Sequence, residues 1–221
     1  MNYSETIKTL KSLSNAHNVE GMKRFGINGK VMLGVSNSDL YPIAKEIGKN
    51  HELALKLWES GIQESRTLAS FIDDPKLVTE NQMEKWVNDF DNWAVCDSVC
   101  MHLFDRTSLV HKKIKDWVKD EKEFVRRAGF VLMACLAVHD KKMPDKEFIK
   151  FFPTIKKYST DERNFVRKAV NWALRQIGKR NETLRKASIK LGKEIEKIDS
   201  KSARWIAKDA LRELESKKFK N

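Results

Sequence analysis

The sequence Phe124-Val125-Arg126-Arg127-Ala128 recurs almost unchanged as Phe165-Val166-Arg167-Lys168-Ala169, at an interval of 41 residues. Both copies lie in stretches whose apolar residues recur at the spacing of an α-helix. A helical sequence pattern that recurs about every 40 to 47 residues is typical of solenoids whose repeat unit contains two or three helices. Trp205 follows Phe165 by another 40 residues, in a segment that keeps an aromatic-aliphatic-x-Lys pattern. The interval therefore predicts three C-terminal repeats, the last of them a cap.

Helical periodicity continues through the rest of the chain, and no segment alternates in the manner of a β-strand. The predicted helices share this 3.6-residue pattern and are 4–14, 18–25, 38–49, 51–59, 62–73, 80–89, 92–104, 108–119, 121–138, 145–157, 161–178, 181–197 and 201–217. The clearest non-helical stretch is 24–36, which contains three glycines. We predict an all-α fold, a superhelical solenoid of HEAT-like antiparallel helix pairs, in a single domain over residues 1–221.

The composition favours a folded chain. Of 221 residues, 41% are hydrophobic and 33% charged, which is enough apolar side chain for a core. There is no apolar run of about 18 residues and no secretory signal in residues 1–14, so we expect no membrane span and a cytoplasmic protein. Cys96, Cys100 and Cys135 lack further ligands at matching spacing, so we expect core residues and no metal site.

The charge is unevenly distributed along the chain. Residues 1–110 contain 12 basic and 15 acidic side chains, a net charge of −3. Residues 111–221 contain 31 basic and 16 acidic side chains, a net charge of +15. A strongly basic half indicates a polyanionic partner. A lysine-rich solvated surface is the alternative that charge alone leaves open.

An acidic residue stands out in the predicted helix 92–104. At 100° per residue, Trp93 and Asp97 lie on one face of this helix, together with the apolar residues Cys100 and Phe104. A carboxylate on an apolar face is costly unless it has a partner or a task. Asp97 is therefore either a buried residue that satisfies a neighbouring helix N-terminus or a carboxylate held beside a reaction centre.

A second aromatic residue lies among cations in the predicted helix 161–178. Trp172 is at the edge of the apolar stripe, on the side of Lys168 and Arg175. An aromatic ring bordered by cations suits stacking on a sugar or base while phosphate is held. Arg127 takes the place of Lys168 in the preceding repeat. The alternative is a core-edge tryptophan, whereas Trp58 and Trp117 have the pattern of core residues.

Five segments, in order along most of the chain, resemble the DNA alkylation repair family, the AlkD-like glycosylases built of HEAT-like repeats. They are Met22-Lys23-Arg24-Phe25-Gly26-Ile27, Glu52-Leu53-Ala54-Leu55-Lys56-Leu57-Trp58, the pair Trp93 and Asp97, Arg127-Ala128-Gly129-Phe130-Val131-Leu132, and Lys168-Ala169-Val170-Asn171-Trp172-Ala173-Leu174-Arg175. No single segment is specific, but together they mark the family, because its functional positions coincide with residues already selected on physical grounds.

The resemblance implies base excision repair of alkylation damage: removal of positively charged N3- and N7-alkylated purines from duplex DNA. It implies Trp93, Asp97, Arg127 and Trp172 as the active site. Loss of a cationic purine builds positive charge on the deoxyribose, which a carboxylate stabilises while it orients water, and which tryptophan faces also favour. The residues expected to contact DNA are basic and are Lys23, Arg24, Arg127, Arg167, Lys168 and Arg175. No metal or organic cofactor is expected.

The implied partner is double-stranded DNA with alkylated bases, bound by a monomer that associates with the nucleoid. Two positions depart from the family pattern: Gly21 replaces an aromatic residue, and Asn92 replaces a second tryptophan. They bear on substrate range and catalytic strength. Two alternatives stay open, a non-catalytic HEAT-repeat protein that recognises distorted or branched DNA, and a protein-interaction scaffold.

Overall fold

The computed structural model describes residues 1–216, and this part of the chain is helical almost throughout. The helices in chain order are α1 (Tyr3–Ser12), α2 (Ala16–Arg24), α3 (Asn37–Ile47), α4 (His51–Glu59), α5 (Gln63–Ile72), α6 (Glu80–Asn88), α7 (Trp93–His102), α8 (Val110–Trp117), α9 (Glu123–His139), α10 (Asp145–Ile149), α11 (Phe152–Tyr158), α12 (Asn164–Gly178), α13 (Glu182–Glu196) and α14 (Lys201–Leu214). A turn of 3-10 helix, Phe104–Arg106, follows α7. The all-α prediction is confirmed. The end of the predicted helix 201–217, and residues 217–221 of the predicted domain, lie outside the described residues.

The chain divides into two compact units, residues 1–110 and 111–221. The division coincides with the change in charge, from −3 in the first unit to +15 in the second. In the described residues, no helix is both long enough and apolar enough to cross a membrane. All three cysteines are buried and unbridged, as predicted for core residues.

In the first unit, α5 packs against α3, α4 and α7. Trp58 of α4 and Trp86 of α6 stack with ring centroids 4.0 Å apart and planes within 3°. Both rings are buried, and the indole Nε1 of Trp58 donates to Asp89 at 2.8 Å. A buried tryptophan needs such an acceptor for its N–H, so the aromatic pair also fixes the end of α6. The prediction that Trp58 is a core residue is confirmed.

The second unit contains the repeats found in the sequence, and equivalent positions touch. Helices α9 and α12 lie side by side, and α12 also packs against α13 and α14. The rings of Phe124 and Phe165 are 5.4 Å apart, and the guanidinium of Arg167 lies 5.1 Å from the centre of the Trp205 ring. A Cβ on Gly129 would lie 2.7 Å from a Val118 methyl group, so this close approach to the segment after α8 requires glycine.

The predicted helix 145–157 is two short helices, α10 and α11. Pro153 stands in the first turn of α11, where its missing N–H costs little. In the middle of one continuous helix the same residue would remove a hydrogen bond and clash with the preceding turn. The periodicity of the apolar residues passes through this break, which is why the sequence pattern predicted one helix.

Candidate nucleic-acid interface

Helix α7 begins at a fully formed N-cap. The Asn92 side-chain oxygen accepts from the backbone N–H groups of Ala94, at 3.0 Å, and Val95, at 3.2 Å. Its amide nitrogen donates to the side-chain oxygen of Gln63 at 2.9 Å, and Asn92 is only 1% exposed. An N-cap of this kind satisfies helix N–H groups that otherwise lack partners. Asn92 therefore fixes the first turn of α7, where Trp93 stands.

The burial of the residues on α7 refines the expectation from the sequence, which placed Trp93 and Asp97 on an apolar face of the helix. Val95, Cys96, Val99 and Cys100 are buried, whereas Trp93 and Asp97 are half-buried. Asp97 thus lies beside the core side of the helix and is not enclosed within it. Residues four apart are neighbours on a helix surface, so the indole and the carboxylate occupy one partly accessible strip.

A backbone contact orients the Trp93 ring. Its indole Nε1 donates to the carbonyl oxygen of Phe25 at 2.9 Å. The next residue, Gly26, has φ of 78°, a left-handed conformation that L side chains rarely adopt. The Phe25 side chain itself is 77% exposed. The turn after α2 therefore holds one aromatic ring by its backbone while presenting another to solvent.

The segment between α2 and α3 is held by the start of α5. The buried Glu64 carboxylate accepts from the backbone N–H groups of Leu33, at 2.9 Å, and Gly34, at 2.7 Å. The Gln63 N–H donates to the carbonyl of Val31 at 2.9 Å, in an isolated parallel bridge between Val31 and Ile62. Sequence reasoning assigned no role to Glu64, and it singled out Phe25 only as part of the segment 22–27 that resembles the family, although the glycines of 24–36 correctly predicted an irregular segment.

In the second unit, Arg127 lies deep in the structure. It is 6% exposed, and its Nη1 donates to the carbonyl oxygen of Phe165 at 2.6 Å. This hydrogen bond joins α9 to the first turn of α12, between the two copies of the repeated pentapeptide. The guanidinium is therefore held in a fixed position by the protein.

Trp172 is half-buried on α12. With the Gln176 amide turned so that its oxygen can accept, the Trp172 Nε1 donates to it at 2.8 Å and Lys179 donates to it at 3.2 Å. Gln176 lies one turn after Trp172, so the contact is local to the helix. It anchors one edge of the indole through its N–H.

The basic residues predicted to contact DNA have different surroundings. Lys168 and Arg24 are exposed, and Lys23 pairs with Glu20 at 2.9 Å. Arg175 pairs with Glu213 and, at 3.4 Å, with Asp209. Burial raises the pKa of the Glu213 carboxyl, but hydrogen bonds from Arg175 and Lys179 outweigh it and leave that pKa below its usual range. Arg175 is thus neutralised within the protein, while Lys168 faces solvent.

Over residues 1–216, no three His, Cys, Asp or Glu side chains are grouped so that they could hold a metal ion. The half-buried strip of α7 carries a carboxylate and an indole ring one helical turn apart. Such a pair stabilises positive charge that develops close to it.

Comparison with known proteins gives a consistent result. The family described as DNA alkylation repair enzyme matches residues 6–214. Two curated relatives are the uncharacterized proteins Lin0241 of Listeria innocua serovar 6a and Lmo0209 of Listeria monocytogenes serovar 1/2a. They are 25% and 24% identical over 198 residues, with 86% of this chain and 84% of each relative covered.

A solved structure superposes with a TM-score of 0.80 at 18% identity, covering 96% of this chain and 95% of the other. It is described as a new family of proteins related to the HEAT-like repeat DNA glycosylases with affinity for branched DNA structures. The likeness shows a HEAT-like repeat fold, as the helical interval of 41 residues predicted.

Proposed function

Because the chain belongs to the DNA alkylation repair enzyme family, with residues 6–214 matched, we propose that it is a DNA glycosylase for cationic N3- and N7-alkylated purines. The reaction is hydrolysis of the N-glycosyl bond in duplex DNA. The leaving purine already carries positive charge, so little acid catalysis at the base is needed. The difficult step is the build-up of positive charge on the deoxyribose.

Asp97 is the proposed catalytic carboxylate. Its negative charge stabilises the oxocarbenium-like sugar, and its oxygens orient the attacking water. Trp93 offers an electron-rich face to that sugar cation, and the family resemblance assigns the same role to Trp172. Arg127 holds a backbone phosphate in this proposal, and exposed cations such as Lys168 add contacts along the strand. We further propose that one domain acts as a monomer in the cytoplasm, at the nucleoid.

One observation carries the proposal: Trp93 and Asp97, one helical turn apart, are both half-buried on α7, which begins directly after its N-cap Asn92. A carboxylate at this place is accessible to a substrate and still held by a rigid helix. The hydrogen bond from Trp93 to the Phe25 carbonyl restricts the rotation of the indole. Such preorganisation is what stabilisation of a charged transition state requires.

The test is release of N7-methylguanine and N3-methyladenine from duplex DNA by the parent protein, Asp97→Asn and Glu46→Gln. Glu46 is exposed on α3, so its variant makes the same change in charge elsewhere in the first unit. We expect Asp97→Asn to lower the single-turnover rate by roughly 100-fold or more, with DNA affinity similar to the parent. Equal rates for Asp97→Asn and the parent would remove Asp97 from the reaction.

A second candidate function is recognition of distorted or branched DNA without excision. It is favoured by the likeness in fold to a family related to the HEAT-like repeat DNA glycosylases and described with affinity for branched DNA structures. Absence of base release by the parent, together with salt-sensitive binding that is tighter on branched than on linear DNA, would favour this function.

A further inference from the structure

Three aromatic side chains meet on α3, α5 and α7 of the first unit. Tyr41 and Phe71 are stacked, with centroids 4.9 Å apart and planes within 16°. His102 meets Phe71 edge-on, at 4.6 Å and 80°, and meets Tyr41 at 6.4 Å and 72°. We call these three residues the aromatic platform. It contains none of the residues proposed above for excision, and it includes the last residue of α7, whereas Trp93 is the first.

The outer ring of the platform is open to solvent. Tyr41 is 49% exposed, while Phe71 and His102 are half-buried beneath and beside it. Since Phe71 covers one face of the Tyr41 ring, the exposed part of the side chain is left to the ring edges, the hydroxyl and the opposite face. The stack holds that ring in place before any ligand arrives, so little side-chain entropy is lost when a second flat ring is added.

Three cations surround the platform, although the unit as a whole is acidic. Lys45 is exposed one turn after Tyr41 on α3, and the Lys49 ammonium donates to the Phe71 carbonyl at 3.1 Å. Arg106, whose side chain is 51% exposed, ends the 3-10 turn that follows His102. Burial lowers the pKa of Lys49, and the charge of Arg106 lowers it further. We call Lys45, Lys49 and Arg106 the basic rim.

The neighbouring carboxylates are largely withdrawn from solvent. Asp73 is fully buried and bonded to His51 at 2.6 Å and to Gln82 at 2.7 Å. The Asp105 side chain is 1% exposed. Asp74, half-buried, accepts from the backbone N–H of Lys76 at 3.0 Å. On α3 the exposed carboxylates Asp39 and Glu46 lie roughly 140–160° around the helix from Tyr41. The groups that reach the surface on the Tyr41 side are therefore mainly aromatic and cationic.

We propose that the aromatic platform stacks an unpaired nucleobase of DNA while the basic rim contacts the phosphates beside that base. A flat ring with an open face and adjacent cations is the arrangement that binds single-stranded nucleic acid without sequence preference. A base pair inside a duplex cannot use it, because neighbouring pairs cover both of its faces. The expected ligand is thus DNA with a few unpaired nucleotides, such as a tail or a flap. This inference goes beyond excision and does not depend on it.

The experiment compares two unmodified DNA probes, a blunt duplex and the same duplex with a short unpaired tail that contains 2-aminopurine. Affinity is measured by anisotropy, and stacking by the quenching of 2-aminopurine fluorescence. The variants are Tyr41→Ala, Tyr41→Leu, Tyr41→Phe and, as the matched control, Tyr3→Ala, which truncates a tyrosine that is 39% exposed on α1. Melting temperatures establish that each variant is folded.

We expect Tyr41→Ala and Tyr41→Leu to weaken binding of the tailed probe by roughly 5- to 150-fold, the range of one base–aromatic stack. Both should lose the quenching, whereas Tyr41→Phe and Tyr3→Ala should behave as the parent. Binding of the blunt duplex should change less than twofold in every variant. Equal binding of the tailed probe by the parent and Tyr41→Ala would overturn the proposal, and so would an equal loss on both probes. Neither outcome depends on whether an alkylated base is released.

Discussion

The indole Nε1 of Trp93 lies 2.9 Å from the carbonyl oxygen of Phe25, a residue 68 positions earlier in the chain. This hydrogen bond fixes the rotation of the indole without covering its faces, since the donor is at the ring edge. The acceptor stands next to Gly26, whose φ of 78° shapes the turn. A loop far away in sequence therefore determines how an aromatic ring stands beside Asp97.

Trp93→Phe removes the indole N–H and retains an aromatic face. We expect a loss of about 0.5–1.5 kcal/mol in the free energy of unfolding, because the Phe25 carbonyl loses one protein donor. We expect base release to fall further than this, because the ring is no longer held at one angle. Unfolding by urea and single-turnover assays measure the two effects. A Trp93→Phe protein with unchanged stability and unchanged rate would show that the hydrogen bond has no role.

Asn92→Ala removes the N-cap of α7 and leaves the buried Gln63 amide without this partner. We expect a destabilisation of about 1–2 kcal/mol, the usual cost of losing a cap. Asn92→Asp keeps the acceptor for the helix N–H groups and should recover part of that loss. Thermal melts should give the highest stability for the parent, a lower one for Asn92→Asp and the lowest for Asn92→Ala. Equal stability of Asn92→Ala and Asn92→Asp would contradict the capping role.

Lys168→Ala and Arg175→Ala remove cations from the same helix, but Lys168 is exposed whereas Arg175 is half-buried. If Lys168 contacts a phosphate, its removal should reduce the slope of log affinity against log salt by about 1. Arg175 is paired with Glu213 and Asp209. Its removal should lower stability and leave the slope nearly unchanged. Titrations of duplex DNA at several salt concentrations measure the slope for both variants. A slope that falls for Arg175→Ala and not for Lys168→Ala would contradict the assignment.

Asp161 joins α9 and α12 through Arg126, at 2.7 Å, and Arg163, and its side chain is 8% exposed. Burial raises the pKa of the Asp161 carboxyl, but hydrogen bonds from Arg163 and Arg126 outweigh it and hold that pKa below 3.8. A depressed folded-state pKa stabilises the fold above the unfolded value, and the gain is lost as pH falls through the folded value. Acid should therefore destabilise the second unit below about pH 4.

Asp161→Asn should cost about 2 kcal/mol at neutral pH and weaken the acid dependence below pH 4. Asp199→Asn is the control, because the Asp199 side chain is fully exposed and pairs only at the surface with Arg204. Melting temperatures between pH 3 and 7 give the comparison. Parallel pH profiles for Asp161→Asn and the parent would rule out Asp161 as the origin of the acid sensitivity.

The helices were predictable because their signal is local. Apolar spacing is carried by residues within one helix, and the repeat shows because the same short pattern recurs at Phe124 and Phe165. The break between α10 and α11 was missed because apolar periodicity passes through it, although Pro153 marks its place. The assignment of Trp93, Asp97, Arg127 and Trp172 to one active site stays a prediction.

The sequence by itself determined the helical repeat, the family and the basic character of residues 111–221, since these depend on composition and on short-range spacing. Only the tertiary structure decided which polar atoms meet. The Phe25 carbonyl reaches Trp93 and the Phe165 carbonyl reaches Arg127, over 68 and 38 residues. Such contacts depend on how helices distant in sequence approach each other, and burial then makes each unmatched donor or acceptor costly enough to require its partner.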